Sequence, residues 1–286
     1  MAWPATDLDQ RPELITSTLP LFAARPGQEH LVCGLPHRMG QPVSASDLRA
    51  CLGVLVLLER IRPVAALGLC AYSPEQITLW GPAVLARPRE AAVRQLMALA
   101  REALRDGGYA SLRLLVDTRN RIARADALAV GLTAWKDTHC YESALRPMDD
   151  AALAGLRVAA ADDHALIVPI LDQGFPDSDH CRPNLVQRED AGYRHYLLTD
   201  AGQAVGAAAV QRDGRRAWLK LIAVAGHARG RGFGARLLRG VMASEQRLGA
   251  STLGLEVLAD NLPANAIYRA AGMQRLWTAT IFSGPV

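Results

Sequence analysis

The chain has little of what marks secreted, metal-binding or membrane proteins. Its five cysteines include no CxxC pair, so the sequence indicates neither a zinc site nor a disulfide framework. The first residues carry acids where a signal peptide needs basic and then apolar residues, and the run CLGVLVLL is too short to span a bilayer. We therefore expect a protein of the reducing cytoplasm, with no membrane segment.

The sequence also lacks a strong excess of charge of either sign. Thirty-two Lys and Arg stand against 28 Asp and Glu, a formal net charge of +4. This excess is too small for a nucleic-acid binder, but it is compatible with one anionic cofactor. No pair of histidines has the spacing of a metal site, so we expect no metal and interpret the isolated histidines as surface or core residues. They include His164, His180, His195 and His227.

What the chain does contain is an internal repeat. A shift of 141 residues aligns 108–131 with 249–272 without a gap, and nine of those 24 positions are identical. Composition alone would give roughly two identities. We therefore predict two tandem copies of one domain, residues 1–146 and 147–286, joined near the sequence RPMDD.

Each copy alternates between strand and helix patterns. In the second copy, the apolar runs YRHYLLT, AVGAAAVQ and RRAWLKLIAV are separated by the turns DAG and RDG, which predicts an antiparallel meander. Apolar residues at helical spacing follow, and Gly249 closes that helix. A strand, a short helix and a last strand complete the copy. The predicted fold class is α/β, with a mixed, mostly antiparallel sheet flanked by helices in each copy.

A glycine-rich loop lies between the third of those strands and the long helix. The sequence HARGRGFGARLL, residues 227–238, contains three glycines and three arginines. Such a loop before a helix directs backbone N–H groups and the positive end of the helix dipole at an anion such as phosphate. A Walker loop is excluded because Phe233 follows Gly232 where Lys is required, and a Rossmann loop needs GxGxxG after a parallel strand.

Two stretches resemble the signatures of one family. LIAVAGHARGRGFG, residues 221–234, resembles motif A of the GNAT superfamily of acyl-CoA N-acyltransferases. LEVLADNLPANAIYRAAGM resembles the second GNAT signature, although Met273 stands where Phe is commoner. The matching positions are Arg229, Gly232 and Gly234 in the first stretch, and Asn261, Ala264, Tyr268 and Gly272 in the second.

The resemblance implies that acetyl-CoA is the co-substrate. It implies that the loop amides hold the pyrophosphate of coenzyme A, and that the preceding strand end binds the pantetheine arm and polarises the thioester carbonyl. The implied cofactor-binding residues are Ala223, Val224, Ala225, Arg229, Gly230, Arg231, Gly232, Phe233, Gly234, Asn261, Ala264 and Tyr268.

Two side chains are candidates for the chemistry. Tyr268 matches the tyrosine that many GNAT enzymes place beside the sulfur as a general acid, although it could instead only pack its helix. Glu256 lies within an apolar strand, so its carboxylate must face a cleft, a salt-bridge partner or solvent, and it is our candidate general base. Its spacing from Tyr268 resembles the ribosomal-protein alanine N-acetyltransferases.

The first copy has lost these residues. The same shift maps the functional positions of the second copy onto Pro88, Ala91, Val93, Leu115 and Ala127. We therefore expect a degenerate GNAT-like domain without acetyl-CoA binding, which either forms one wall of the acceptor pocket or only packs.

The expected function is N-acetyl transfer from acetyl-CoA to a primary amine of a small molecule. A degenerate copy followed by an intact one resembles mycothiol synthases and several small-molecule acetyltransferases. The alternatives are a protein N-terminal or lysine acetyltransferase and a non-catalytic acyl-CoA-binding regulatory protein. We expect a monomer or homodimer without a nucleic-acid partner.

Overall fold

A computed structural model describes residues 3–23, 31, 34–35, 43–176, 178 and 180–286. It divides into two compact units, the first made of residues 1–138 with 277–286 and the second of residues 139–276. No helix in the described part of the chain is long and apolar enough to cross a lipid bilayer.

The first unit is built on a mixed sheet with the strand order β1-β2-β3-β4-β5-β12-β6. Its β4–β5 pair is parallel, whereas β1 with β2, β2 with β3, β3 with β4, and β12 with β5 pair antiparallel. The elements that begin in this unit are β1 (Ala5–Asp7), α1 (Ile15–Phe22), α2 (Ala45–Arg49), β2 (Gly53–Glu59), β3 (Arg62–Ser73), β4 (Gln76–Val84), α3 (Arg89–Asp106), β5 (Ser111–Asp117), α4 (Arg121–Ala129) and β6 (Thr133–Ala144).

The second unit repeats this plan, with the strand order β6-β11-β10-β9-β8-β7 and the start of β12 on the other side of β6. Here β10 and β11 form the parallel pair. The elements are β7 (Leu156–Val158), α5 (His164–Gly174), α6 (Arg182–Asp190), β8 (Tyr193–Asp200), β9 (Gln203–Asp213), β10 (Arg216–Val224), α7 (Phe233–Arg247), β11 (Thr252–Leu258), α8 (Leu262–Ala270) and β12 (Gln274–Pro285). The predicted fold class is confirmed, and so is the helix stop at Gly249, whose φ of +92° favours glycine.

The last strands of the two copies are exchanged. Residues 279–285 of β12, the last strand of the chain, pair with residues 111–117 of β5 in the first unit. Directly after β6, the Leu145 backbone N–H donates to the carbonyl oxygen of Ser251 in the second unit at 2.8 Å. The units therefore change at 138/139 and 276/277, whereas the division of the repeat near residue 146 stays a prediction about the two copies.

The core of the second unit forms where α7 covers the sheet. Leu237, Leu238 and Val241 are fully buried because their helical spacing places them on one face, and they pack with Leu253 and Leu255 of β11. This packing fixes the beginning of α7 relative to the ends of β10 and β11.

Candidate active site

The parallel strands β10 and β11 separate before they end. They pair only from Arg216 with Thr252 to Leu219 with Leu255. A bulge then shifts the register of β10 between Leu219 and Leu221, while β10 stays paired with β9 as far as Val224. A gap therefore opens between β10 and β11 toward their carboxyl ends, where one edge of β10 has no partner strand among the described residues.

The bulge also changes which side chains face which helix. Before the bulge, Leu219 packs in the core beneath α7. After it, Val224 faces α7, since its Cγ2 would lie 3.7 Å from a Cβ on Gly234. Ala223 faces the other side, where its Cβ would lie 2.7 Å from a Cβ on Gly174 at the end of α5. Ala223 to Ala225 thus form the end of β10 between two helices.

The glycine-rich loop connects β10 to α7. Gly230 and Gly232 have φ angles of +75° and +83°, the left-handed region that favours glycine, and a Cβ on either would meet nothing within 4 Å. Gly232 caps α7 without a side-chain hydrogen bond. Within the described residues, the amides of residues 230–235 find no acceptor. Several N–H groups at the positive end of a helix dipole, open to solvent, form an anion site.

Arg229 and Arg231 of the loop make different contacts. Arg229 donates from Nε to the Val224 carbonyl at 3.2 Å and from Nη2 to the Gln173 carbonyl at 3.1 Å. Gln173 in turn accepts the Gly226 N–H at 2.9 Å. Arg231 stacks on the Phe233 ring, with 5.2 Å from its guanidinium carbon to the ring centroid. Arg229 and Gln173 therefore hold the loop against α5, a function of Gln173 that no sequence pattern indicated.

Gly234 has a packing role as well. A Cβ there would lie 3.0 Å from the Ile267 Cδ1 of α8, so glycine lets α7 and α8 approach closely. The sequence predicts that all three glycines of the loop contact phosphate. Gly234 is the one among them whose position is already crowded by a neighbouring side chain.

Asn261 and Ala264 cap α8. The Asn261 side chain accepts the Ala264 N–H at 3.2 Å, and Asn120 accepts the Ala123 N–H at 3.0 Å at the start of α4 in the first unit. This shared cap gives a physical reason for the Asn and Ala that recur in both copies. The predicted cofactor contacts of Asn261 and Ala264 stay predictions.

Tyr268 lies on α8 and is only 5% exposed. Burial raises the pKa of its phenol. Its ring centroid lies 5.8 Å from that of Tyr141, and its hydroxyl makes no hydrogen bond to the described residues. The Tyr141 hydroxyl donates to Asn265 Oδ1 at 3.1 Å, and Asn265 Nδ2 donates to the Leu258 carbonyl at 3.0 Å. The Tyr268 phenol therefore stays protonated at neutral pH on a helix tied to the end of β11.

Glu256 faces away from α8. Residues two apart on a strand share a face, so Glu256 lies on the same face of β11 as Gly254. This face is the one toward Trp218 of β10, since a Cβ on Gly254 would lie 2.6 Å from the Trp218 ring. Burial raises the pKa of the Cys140 thiol, and the nearby Glu256 and Glu142 carboxylates raise it further while Arg216 lowers it. Cys140 lies on the face of β6 opposite to Tyr141, which packs with α8.

An ion pair accompanies Glu256 on this face, with Arg216 Nε donating to Glu142 Oε2 at 2.8 Å. Glu256 of β11 and Tyr268 of α8 thus lie on opposite faces of the sheet. The two predicted catalytic residues are not brought side by side.

The first unit keeps the parallel strands but not the loop. Its strands β4 and β5 also form four parallel pairs. Only residues 85–88 connect β4 to α3, whereas residues 225–232 connect β10 to α7. Ala91 and Val93, at the positions of Gly232 and Gly234, lie inside α3. This connection has no glycine that could adopt a positive φ and bring open amides to an anion.

Comparisons with known proteins identify a matching family and similar folds. Residues 164–273 match the Acetyltransferase (GNAT) family. The chain is similar in structure to a GCN5-related N-acetyltransferase from Sphaerobacter thermophilus, with a TM-score of 0.76 and 17% identity over 96% of this chain and 93% of that one. No curated protein sequence matches the chain.

Two further structures share the architecture. A tandem GNAT protein from the clavulanic acid biosynthesis pathway has a TM-score of 0.66 and 18% identity, covering 99% of this chain and 98% of that one. A GCN5-related glucosamine N-acetyltransferase region of a fungal multi-domain protein has a TM-score of 0.70 and 12% identity, covering 99% of this chain and 38% of that one. At these identities the similarity shows the fold.

Proposed function

We propose that this protein transfers an acetyl group from acetyl-CoA to a primary amine of a small molecule, because residues 164–273 match the GNAT family and the chain has the fold of a tandem GNAT protein. The observation that carries the proposal is the row of unpaired amides at residues 230–235 beside the gap between β10 and β11. The amides bind the pyrophosphate, and the gap admits the pantetheine arm with its thioester.

The unpaired edge of β10 is the natural partner for the pantetheine arm. Pantetheine contains two amide groups, which hydrogen-bond to a strand edge as another strand would. The Ala225 N–H is already bonded to the Val205 carbonyl, so the other backbone groups of Ala223 to Ala225 on this edge supply these hydrogen bonds. A backbone N–H directed at the thioester oxygen stabilises the charge that develops there. Arg229 keeps this strand end in position through its bond to the Val224 carbonyl.

The reaction requires two proton movements. An alkyl ammonium with a pKa of about 10 must lose a proton before its nitrogen attacks the thioester carbonyl carbon. Glu256 takes that proton, directly or through water. As the carbon–sulfur bond breaks, the thiolate of coenzyme A takes a proton from the Tyr268 hydroxyl. Since the pKa of Tyr268 is raised by burial, the phenol keeps its proton until the sulfur becomes negative.

We place the acceptor amine on the face of the sheet that carries Glu256, where Glu142 is already paired with Arg216. Glu256 and Glu142 lie on the face of the sheet away from α8, and Arg216 pairs with Glu142. Glucosamine is the substrate named for the similar fungal region, and we extend only its class, a small amine, to this chain. The first copy contributes no cofactor site to this proposal.

The test is release of free coenzyme A from acetyl-CoA in the presence of a panel of small amines, followed by mass spectrometry for molecules that gain an acetyl group. Acetylation of a small amine supports the proposal. Acetylation of peptides alone would assign a protein acceptor instead. Binding of acetyl-CoA without turnover on any acceptor would indicate a regulatory protein.

A further inference from the structure

Two buried histidines of the second unit converge on one carboxylate. His164 is the first residue of α5, Glu189 lies near the end of α6, and His195 lies on β8. His164 Nε2 is 2.9 Å and His195 Nδ1 is 3.1 Å from the same oxygen, Glu189 Oε1. One ligand atom from each of the three residues lies within 4.8 Å of the other two.

The two histidines of this cluster bring buried ligand atoms to one carboxylate oxygen. Both imidazoles are buried, with exposures of 0% and 1%, and both direct one nitrogen at a single oxygen. The remaining nitrogens, His164 Nδ1 and His195 Nε2, are buried and have no partner. These two nitrogens face away from Glu189 and would not contact an ion. The two nitrogens that face the carboxylate, together with Glu189 Oε1, are the ligand atoms that a cation would share.

We propose that His164, Glu189 and His195 bind a divalent transition-metal ion, with Zn²⁺ as the expected ion. Two imidazole nitrogens and one carboxylate oxygen are a donor set that holds zinc in proteins, with a fourth position left for water. The ion takes the place of the protons between the three ligand atoms. Each neutral imidazole keeps its one proton on its other nitrogen, so binding changes the tautomer and not the charge of the histidines.

The surroundings leave a route for the ion and its water. The Glu189 side chain is 34% exposed, so the carboxylate reaches solvent while the histidines do not. Arg188 is a positive charge that acts on His195, and its Nη1 lies 3.0 Å from His180 Nδ1. One carboxylate against a divalent ion leaves a positive site, which favours a tightly held hydroxide or water as the fourth ligand.

The ion joins three elements and is remote from the acyl-transfer chemistry. It connects the start of α5 and the end of α6 to β8, whereas the other end of α5 carries Gln173, which bonds to the glycine-rich loop. An 11-residue helix separates the two ends by about 16 Å at 1.5 Å per residue. The proposed role is therefore structural, and it holds whether or not the proposed acetyl transfer is correct.

The test uses the whole 286-residue chain, first treated with a chelator and then titrated with Zn²⁺ by calorimetry and with Co²⁺ by visible absorption. We expect one equivalent of either ion, the visible bands of four-coordinate Co²⁺, and a higher unfolding temperature with metal. Glu189→Gln keeps the shape and the hydrogen bonds of the half-exposed side chain, so it should fold, and we expect its affinity to fall at least 100-fold. His195→Gln should lose binding as well.

His227→Gln is the matched control, because it removes an exposed histidine of the same unit and should bind the metal like the parent. Absence of one-equivalent binding in the parent would overturn the proposal and leave a hydrogen-bonded triad. Binding that persists unchanged in both Glu189→Gln and His195→Gln would also overturn it, since the ion would then be held elsewhere.

Discussion

Replacing Gly232 with Asp should abolish coenzyme A binding and leave the fold intact. The residue caps α7 with a φ of +83°, and a Cβ would meet nothing within 4 Å. The left-handed conformation costs an L residue roughly 1–2 kcal/mol, and Asp tolerates it better than most. A carboxylate at the cap accepts free amides and contributes about 1 kcal/mol. The free energy of unfolding should therefore change by no more than about 1 kcal/mol.

The same carboxylate weakens binding of the pyrophosphate in two ways. It occupies amides of residues 230–235 that the pyrophosphate needs, and it repels the pyrophosphate charge. Loss of about two charge-assisted hydrogen bonds at roughly 1.5–3 kcal/mol each weakens binding by about 3–6 kcal/mol. At 1.4 kcal/mol for each factor of ten, the Kd should rise by roughly 100-fold to 10,000-fold.

Calorimetric titration with coenzyme A and thermal unfolding measure the two effects separately. Gly249→Asp is the matched control, because Gly249 follows the other end of α7, has a φ of +92° and is equally open. It introduces the same charge and backbone strain without touching the loop, so its Kd should stay within twofold of the parent. If folded Gly232→Asp bound coenzyme A within threefold of the parent, the loop would not be the phosphate site. Equal loss in Ala91→Asp would mean that the first copy binds the cofactor.

Three further results are expected. Tyr268→Phe keeps the packed ring and removes only the hydroxyl, so turnover should fall by about 10-fold to 1,000-fold with little change in acetyl-CoA affinity. Turnover within twofold of the parent, with the chemical step rate-limiting, would exclude Tyr268 as the general acid. Glu256→Gln should slow turnover and remove the acidic limb of the pH–rate profile, and a limb that stays unchanged would exclude this base. Burial lowers the pKa of His195 below its ordinary 6.5, so the unfolded chain binds a proton first and stability is lost as the pH falls below that value. In chelator-treated protein, His195→Gln should flatten the dependence of urea unfolding on pH between about 7 and 5, and a dependence equal to the parent's would assign it to other groups.

Features that depend on neighbours in sequence could be predicted, and features that depend on packing could not. The positive-φ glycines, the bounds of α7 and the absence of a glycine loop before α3 follow from local composition. The cluster of His164, Glu189 and His195 joins residues 25 and six positions apart, a spacing that no linear ligand pattern contains. It forms only because α5 and α6 pack against β8.

The exchange of β6 and β12 could not be predicted from the sequence for another reason. Both strands are 12 residues long and both follow a short helix in the same context, so nothing local says which sheet each one joins. Asn261 shows that resemblance to a family signature alone does not establish what a residue contacts. The resemblance predicts that Asn261 contacts the cofactor, whereas its hydrogen bond in the structure caps a helix, as that of Asn120 does in the copy without the loop.

The exchanged strands set an order of events during synthesis. A ribosome releases the chain from its amino end, and domains generally fold as soon as their residues have emerged. The first unit cannot finish in this way, because β5 pairs with β12 and residues 277–286 are made only after the second unit. A nascent first unit therefore presents an open strand edge throughout synthesis of the second. A chain that stops before residue 277 would leave the unit made first permanently incomplete.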